Sequence, residues 1–258
     1  MTERKIIAVV GATGAQGGGL VRAILNDPNG GFSARAITQN PDSDKARNLA
    51  GMGAEVTRAN IDDEDSVARA LQGAYGAYFV TFFWEHFSPD KEMAEIRNMA
   101  RAAKTAGVQH VIWSTLEDTR RWVPLSDNRM PTLMGHYKVP HFDAKGASDK
   151  VFAELGVPTT FLLTSFYWDN LISSGMGPKR DPDGKLAFTL PMGDKKLPGI
   201  GAEDIGKCAY GIFRKGREYV GRTVGIAGGH PTGAQMAREL GKALGQEVRY
   251  NAVTPEQF

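Results

Sequence analysis

The feature that most constrains this chain is a glycine-rich turn set between an apolar run and a helical pattern near its start. Lys5-Ile6-Ile7-Ala8-Val9-Val10 is almost wholly apolar, as a strand covered on both faces must be. It runs straight into Gly11-Ala12-Thr13-Gly14-Ala15-Gln16-Gly17, after which Leu20, Ala23 and Ile24 recur on one helical face until Asp27-Pro28-Asn29-Gly30-Gly31 ends the pattern. Gly11 permits a sharp turn, Gly14 lets the backbone approach a pyrophosphate, and Gly17 lets the helix pack close to the strand. The free N–H groups and positive dipole end of such a helix attract phosphate. A Gly-x-x-Gly-x-x-Gly string says little alone; after a buried strand and at the head of a helix it predicts a dinucleotide-binding crossover rather than a merely tight turn.

The strand–helix alternation then repeats. Strands are expected over 33–38, 54–58, 77–81, 108–114 and 159–163, and helices over 43–52, 64–71, 91–106 and 141–155. Such a series folds through right-handed βαβ units into an α/β, Rossmann-type doubly wound parallel sheet. Residues 115–139, broken by Pro124, Asp127-Asn128 and Pro131, are expected to form a long loop over the sheet. Past Leu163 the rhythm weakens, glycine and proline crowd 175–199, and only helices over 204–213 and 232–244 and a strand over 222–226 are foreseen. The expected organisation is a dinucleotide-binding core over 1–163 and a smaller substrate-side lobe over 164–258, interleaved with it.

Composition removes several classes of function. The 31 basic and 29 acidic residues are spread along the 258, with no basic block longer than pairs such as Arg120-Arg121 and Lys195-Lys196, so direct nucleic-acid binding is not expected. A single cysteine, Cys208, excludes an intrachain disulfide and a cysteine-based zinc site, and no metal site is expected. The five apolar residues between Lys5 and Gly11 are too few for a signal peptide or a membrane span. A soluble, cytoplasmic protein is expected.

The string Gly-Ala-Thr-Gly-Ala-Gln-Gly-Gly at 11–18 resembles the NmrA-like group of atypical short-chain dehydrogenase/reductases, most of all its NADPH-sensing branch. The resemblance continues in order through Thr38-Gln39-Asn40-Pro41, Gly53-Ala54-Glu55-Val56, Phe82-Phe83-Trp84-Glu85, His141-Phe142-Asp143-Ala144-Lys145, Ser165-Phe166-Tyr167-Trp168-Asp169-Asn170 and Asp204-Ile205-Gly206. It implies a nicotinamide dinucleotide on Gly11, Thr13, Gly14, Ala15, Gln16 and Gly17, with Thr38, Gln39 and Asn40 at the ribose and Asp62 and Asp63 at the adenine. For those two acids an acidic helix start is an equal alternative. Thr81 and Phe82 are expected to line the cofactor trough because ligands bind outside the carboxyl ends of parallel strands. Ser114, Lys145, Phe166 and Asn170 follow on the nicotinamide side. That branch continues past a segment like Thr254-Pro255-Glu256, so the end at Phe258 is expected to be a truncation.

Two positions depart from the pattern. An acid at the end of the second strand selects NAD and a base there selects NADP; here stands Gln39, with Arg35 and Lys45 the nearest cations and Asp42 and Asp44 beyond. The resemblance favours NADP(H) over NAD(H) by a small margin. The wider superfamily uses Tyr-x-x-x-Lys, one helical turn placing phenol and ammonium on one face. This chain has His141-x-x-x-Lys145, and Tyr137 lies two turns from the lysine. Lys145 and His141 are therefore the candidate catalytic residues, with a ribose contact expected of the lysine and a capping or solvated role the alternative for the histidine. An intact dinucleotide motif beside a depleted acid–base pair suggests a redox-sensing regulator with a protein partner. The alternative is an NAD(P)H-dependent reductase of a small carbonyl, quinone or phenylpropanoid-like compound acting through Lys145.

Overall fold

The structure, a computed structural model, describes residues 4–258. It divides into two compact units: one runs to Thr164 and takes in Glu203–Gly225, and the other holds Ser165–Ala202 and Ile226–Phe258.

The first unit alternates strand and helix: β1 Lys5–Val10, α1 Ala15–Leu25, β2 Phe32–Thr38, α2 Asp44–Gly51, β3 Glu55–Arg58, α3 Glu64–Leu71, β4 Gly76–Phe79, α4 Pro89–Thr105, β5 His110–Thr115, α5 Pro140–Glu154 and β6 Thr159–Leu163. Every expected boundary here falls within two residues of the observed one. The helices start where side chains cap them: Ser43 accepts from Ala46 N–H, Asp63 from Ser66 N–H and Ser88 from Lys91 N–H.

The second unit and the return to the first follow as β7 Phe166–Tyr167, α6 Asn170–Ser173, β8 Lys179–Arg180, β9 Leu186–Leu190, β10 Gly199–Ile200, α7 Ala202–Arg214, β11 Thr223–Gly225, α8 Gly233–Leu244 and β12 Val248–Ala252. The main sheet has the order β11-β6-β5-β4-β1-β2-β3, and every pairing in it is parallel. The strand order reverses between β1 and β4, the position at which folds of this kind bind ligands outside the carboxyl ends of the strands. The buried face residues of β1, β4 and β5, with Ile96, Met99, Phe152 and Leu71, form the core.

Residues 203–225, read from sequence with the C-terminal stretch, belong to the first unit. The cause is a crossing of α1 and α7 without intervening side chains: a Cβ added at Gly19 would lie 2.3 Å from Glu203 O, and one at Gly206 2.1 Å from Leu20 N. The second unit holds a sheet that the sequence did not foretell, β12-β9-β8, packed by α8 around Phe188, Leu190, Met236 and Val248. β8 has two residues and β9 lies in the glycine- and proline-dense stretch, so neither shows a strand period, whereas the alternation Val248-Arg249-Tyr250-Asn251-Ala252 does mark β12. No helix among the described residues is long and apolar enough to cross a membrane.

Candidate functional site

The glycine turn stands at the carboxyl end of β1. Gly11 adopts φ +71°, which side chains disfavour, and a Cβ on Gly17 would lie 2.4 Å from Gly11 O, so turn and helix touch backbone to backbone. Gly14 is the N-cap of α1 and supplies no side-chain oxygen, and Gly14 and Ala15 are exposed, with Thr13 half-buried. The first turn of α1 thus keeps a donor-rich positive end facing outward. Gln16 turns across the sheet edge, its Oε1 accepting from Tyr78 OH at 2.5 Å and Ser114 Oγ at 2.8 Å. Two expected site residues, Gln16 and Ser114, are therefore joined directly. Tyr78, the third member, was missed because an aromatic inside an apolar strand looks like core.

At the end of β2, Thr38 Oγ1 accepts from Asn40 N–H at 3.3 Å, and Gln39 and Asn40 are exposed. Arg35, read from sequence as one of the nearest cations, is committed elsewhere: its Nε pairs with Glu55 at 2.9 Å and its Nη1 donates to Ala70 O and Gln72 O. Asp63 caps α3, and Asp62 faces Lys91 Nζ at 3.4 Å. Thr81 and Phe82 lie beyond β4, which ends at Phe79; the expected extension of that strand to 81 fails because its ladders with β1 and β5 stop there. Their fates differ: Thr81 is buried, whereas Phe82 is 63% exposed.

Thr81 belongs to a buried polar cluster centred on Lys145. Lys145 Nζ donates to Thr81 Oγ1 at 2.5 Å, pairs with Glu92 Oε1 at 3.0 Å and lies 4.7 Å over the Trp113 ring. Thr81 Oγ1 in turn donates to Glu92 Oε1 at 2.5 Å. Burial pulls the Lys145 ammonium below the usual lysine range, with Glu92 opposing that shift. Asp149, one turn along α5, accepts from Thr115 Oγ1 and Trp113 Nε1, and burial lifts its carboxyl to about 6.

On the other side of Glu92, His86 Nε2 lies 3.5 Å from Glu92 Oε2 and 3.6 Å from Glu95 Oε2. Burial and the Glu92 charge raise Glu95 to about 7. These three side chains have the proximity of a metal-binding group, but Ser88 N–H donates to His86 Nδ1 at 3.0 Å. The ring proton therefore sits on Nε2, facing two carboxylates, and that nitrogen has no lone pair for a metal. Sequence reasoning missed Glu92 entirely. Its only signal was an acid on the apolar face of α4, which burial alone turns into a partner for the lysine.

His141 stands one turn before Lys145 on α5 and packs its ring on Trp84 at 4.8 Å and Phe83 at 5.6 Å. Burial, and then Lys145, hold its pKa below the ordinary histidine value. It does not cap the helix, whose N-cap is Val139. Between them on that helix, fully buried Asp143 organises the long loop: Oδ1 accepts from Thr119 N–H and Oγ1–H, and Oδ2 from the N–H groups of Lys138 and Val139. Phe166 and Asn170 lie in the second unit, on β7 and at the start of α6, where Phe166 packs against Trp168 with ring centroids 5.7 Å apart.

A parallel sheet that reverses order beside a glycine-rich strand–helix turn defines the first unit as a Rossmann-like dinucleotide-binding fold. Comparison with known proteins narrows this: the sequence model of the NmrA-like family matches residues 3–258, and the chain belongs to that family. It is 29% identical to the NmrA-like family domain-containing oxidoreductase FrzB of a Cladobotryum species, over 97% of this chain and 76% of that one. Among solved structures it is similar to NmrA, a negative transcriptional regulator, in complex with NAD, at 27% identity and a TM-score of 0.81 over 98% of this chain and 75% of the other. It is also similar to the NADPH-dependent quinone oxidoreductase QOR2 of Escherichia coli complexed with NADPH, at 25% identity and a TM-score of 0.74 over 98% and 80% of the two chains.

Proposed function

We propose that this protein binds a nicotinamide dinucleotide and serves as a redox-sensing regulator, with little or no dehydrogenase turnover. The uncapped, exposed start of α1 fits a pyrophosphate, held by backbone N–H groups around Gly14 to Gly17. Thr38, Gln39 and Asn40 would meet the adenosine ribose, and Asp62 the adenine edge. Ser114, held by Gln16, and Lys145 would meet the nicotinamide side. Bound there, the cofactor would supply hydride chemistry. NmrA, solved in separate complexes with NAD and with NADP, supports a cofactor site of this kind.

The observation that carries the regulatory reading is the state of Lys145. Its ammonium is engaged by Glu92 and Thr81, and no phenol stands one turn away to be polarised by it. His141, in that place, is packed on aromatic rings and holds a proton poorly near neutral pH. Binding without proton delivery suits a sensor whose surface changes with cofactor state and is read by a partner protein.

A second reading, an NAD(P)H-dependent reductase of a small carbonyl, quinone or phenylpropanoid-like compound using Lys145, is favoured by the oxidoreductase relatives and by the Phe83–Trp84–His141 ring cluster beside that lysine. The test is titration with NADH and NADPH followed by cofactor oxidation over a panel of carbonyls, quinones and enones. Binding without turnover is the expected result. Turnover of any of these compounds by the wild type would replace the regulatory reading by the reductase.

A further inference from the structure

Resting on the dinucleotide reading above, we infer that Arg58, at the carboxyl end of β3, receives the 2′-phosphate of NADP(H), supplying from the neighbouring strand the cation that Gln39 lacks. Thr38 and Arg58 are direct partners in the parallel β2–β3 ladder, so their backbones are about 5 Å apart. Side chains alternate along a strand, so Arg35 and Glu55, each three residues earlier, project from the opposite face. Their direction is known: Arg35 pairs with Glu55 and donates to the carbonyls of Ala70 and Gln72 at the end of α3.

The chain steps from β1 to β2 to β3 and then back to β4, so right-handed crossovers put α2 and α3 on opposite faces of the sheet. Thr38 and Arg58 therefore stand on the α2 side. The β2–α2 turn folds over that same side, since Asn40 N–H donates to Thr38 Oγ1. Arg58 thus borders the turn where a Rossmann-like fold meets the adenosine ribose.

Of the cations around that turn, Arg35 is engaged by Glu55 and two carbonyls, and Arg47 pairs with Asp44 on α2. Arg58 is exposed and, among the described residues, its side chain has no ion-pair or hydrogen-bond partner. Lys45 is exposed and likewise unpaired among the described residues, but it carries only a point charge. A guanidinium free at that edge can take a phosphate bidentately, which a single point charge cannot do. It was not weighed in the sequence because selection between the two cofactors is read at the end of the second strand, and only register brings the third strand's last residue beside it.

The test measures dissociation constants for NADPH and NADH, by protein fluorescence, in the wild type, Arg58→Ala and Arg58→Glu. Arg58→Ala is expected to weaken NADPH by about tenfold and leave NADH within about twofold, with a larger loss of NADPH for Arg58→Glu. Gln39→Arg added to Arg58→Ala is expected to restore NADPH binding, and an unchanged melting temperature of the single variant separates the effect from misfolding. A wild type that binds both cofactors with an NADPH-to-NADH ratio unmoved by Arg58→Ala overturns the inference alone. A wild type that binds neither overturns the dinucleotide reading and this inference with it.

Discussion

Removing one partner of the Lys145–Glu92 pair should be far more damaging than removing both. Glu92 is fully buried and Lys145 nearly so, and their 3.0 Å contact is completed by Thr81. Lys145→Met leaves the Glu92 carboxylate, and Glu92→Leu the Lys145 ammonium, buried without its counter-charge, each costing about 3–5 kcal/mol. For a chain of this size about 2–4 °C of melting temperature is lost per kcal/mol, so each single variant is expected to melt about 6–20 °C lower. In the double variant no charge is stranded. Two apolar side chains then occupy the site, and the residual loss is about 1 kcal/mol for the Thr81 hydroxyl deprived of its acceptor. The assay is a double-mutant cycle by urea or thermal unfolding. Losses that simply add would refute the argument, because they would mean that the two charges do not depend on each other.

Further outcomes follow from the same geometry. Gly17→Ala places a Cβ 2.4 Å from the Gly11 carbonyl and is expected to cost about 1–3 kcal/mol and to weaken NADH and NADPH alike, as calorimetry would show. Asp143→Ala removes the acceptor for four loop donors, so trypsin is expected to cut at Arg120, Arg121 or Arg129 in the variant well before it cuts the wild type. Glu95, raised from 4.5 to about 7, holds a proton in the folded state that the unfolded chain has released, so its contribution falls as pH rises from about 4.5 to 7. His110, lowered from 6.5 to about 4, gives the opposite slope between those values. The difference in melting temperature between wild type and Glu95→Gln therefore isolates the glutamate, and a difference independent of pH over 4.5–7 would contradict its raised value.

Much of the fold was legible because local physics and tertiary packing agree in the first unit. Apolar runs such as Ile6–Val10 and Val111–Trp113 are covered on both sides, and the caps at Ser43, Asp63 and Ser88 sit where their side chains can accept from the following turn. Agreement failed where neighbours distant in sequence decide. β9 and β12 pair in parallel across some sixty intervening residues; Leu186–Leu190 does not alternate, and the alternation along Val248–Ala252 does not name its partner. The α1–α7 crossing is marked only by Gly19 and Gly206, whose role as a backbone contact needs both helices in place.

The site divides in the same way. By itself the sequence determined the glycine turn, the absence of a tyrosine one turn before Lys145, and a strand–helix series that can close only as a doubly wound sheet; these are properties of adjacent residues and helical spacing. Only the tertiary structure decided what the charges do. It buried Glu92 against Lys145, spent Arg35 on Glu55 and carbonyl oxygens, joined Gln16 to Ser114, and set Arg58 beside Thr38. The strength and direction of an electrostatic interaction depend on distance and on exclusion of water, and neither exists until strands far apart in the chain lie side by side.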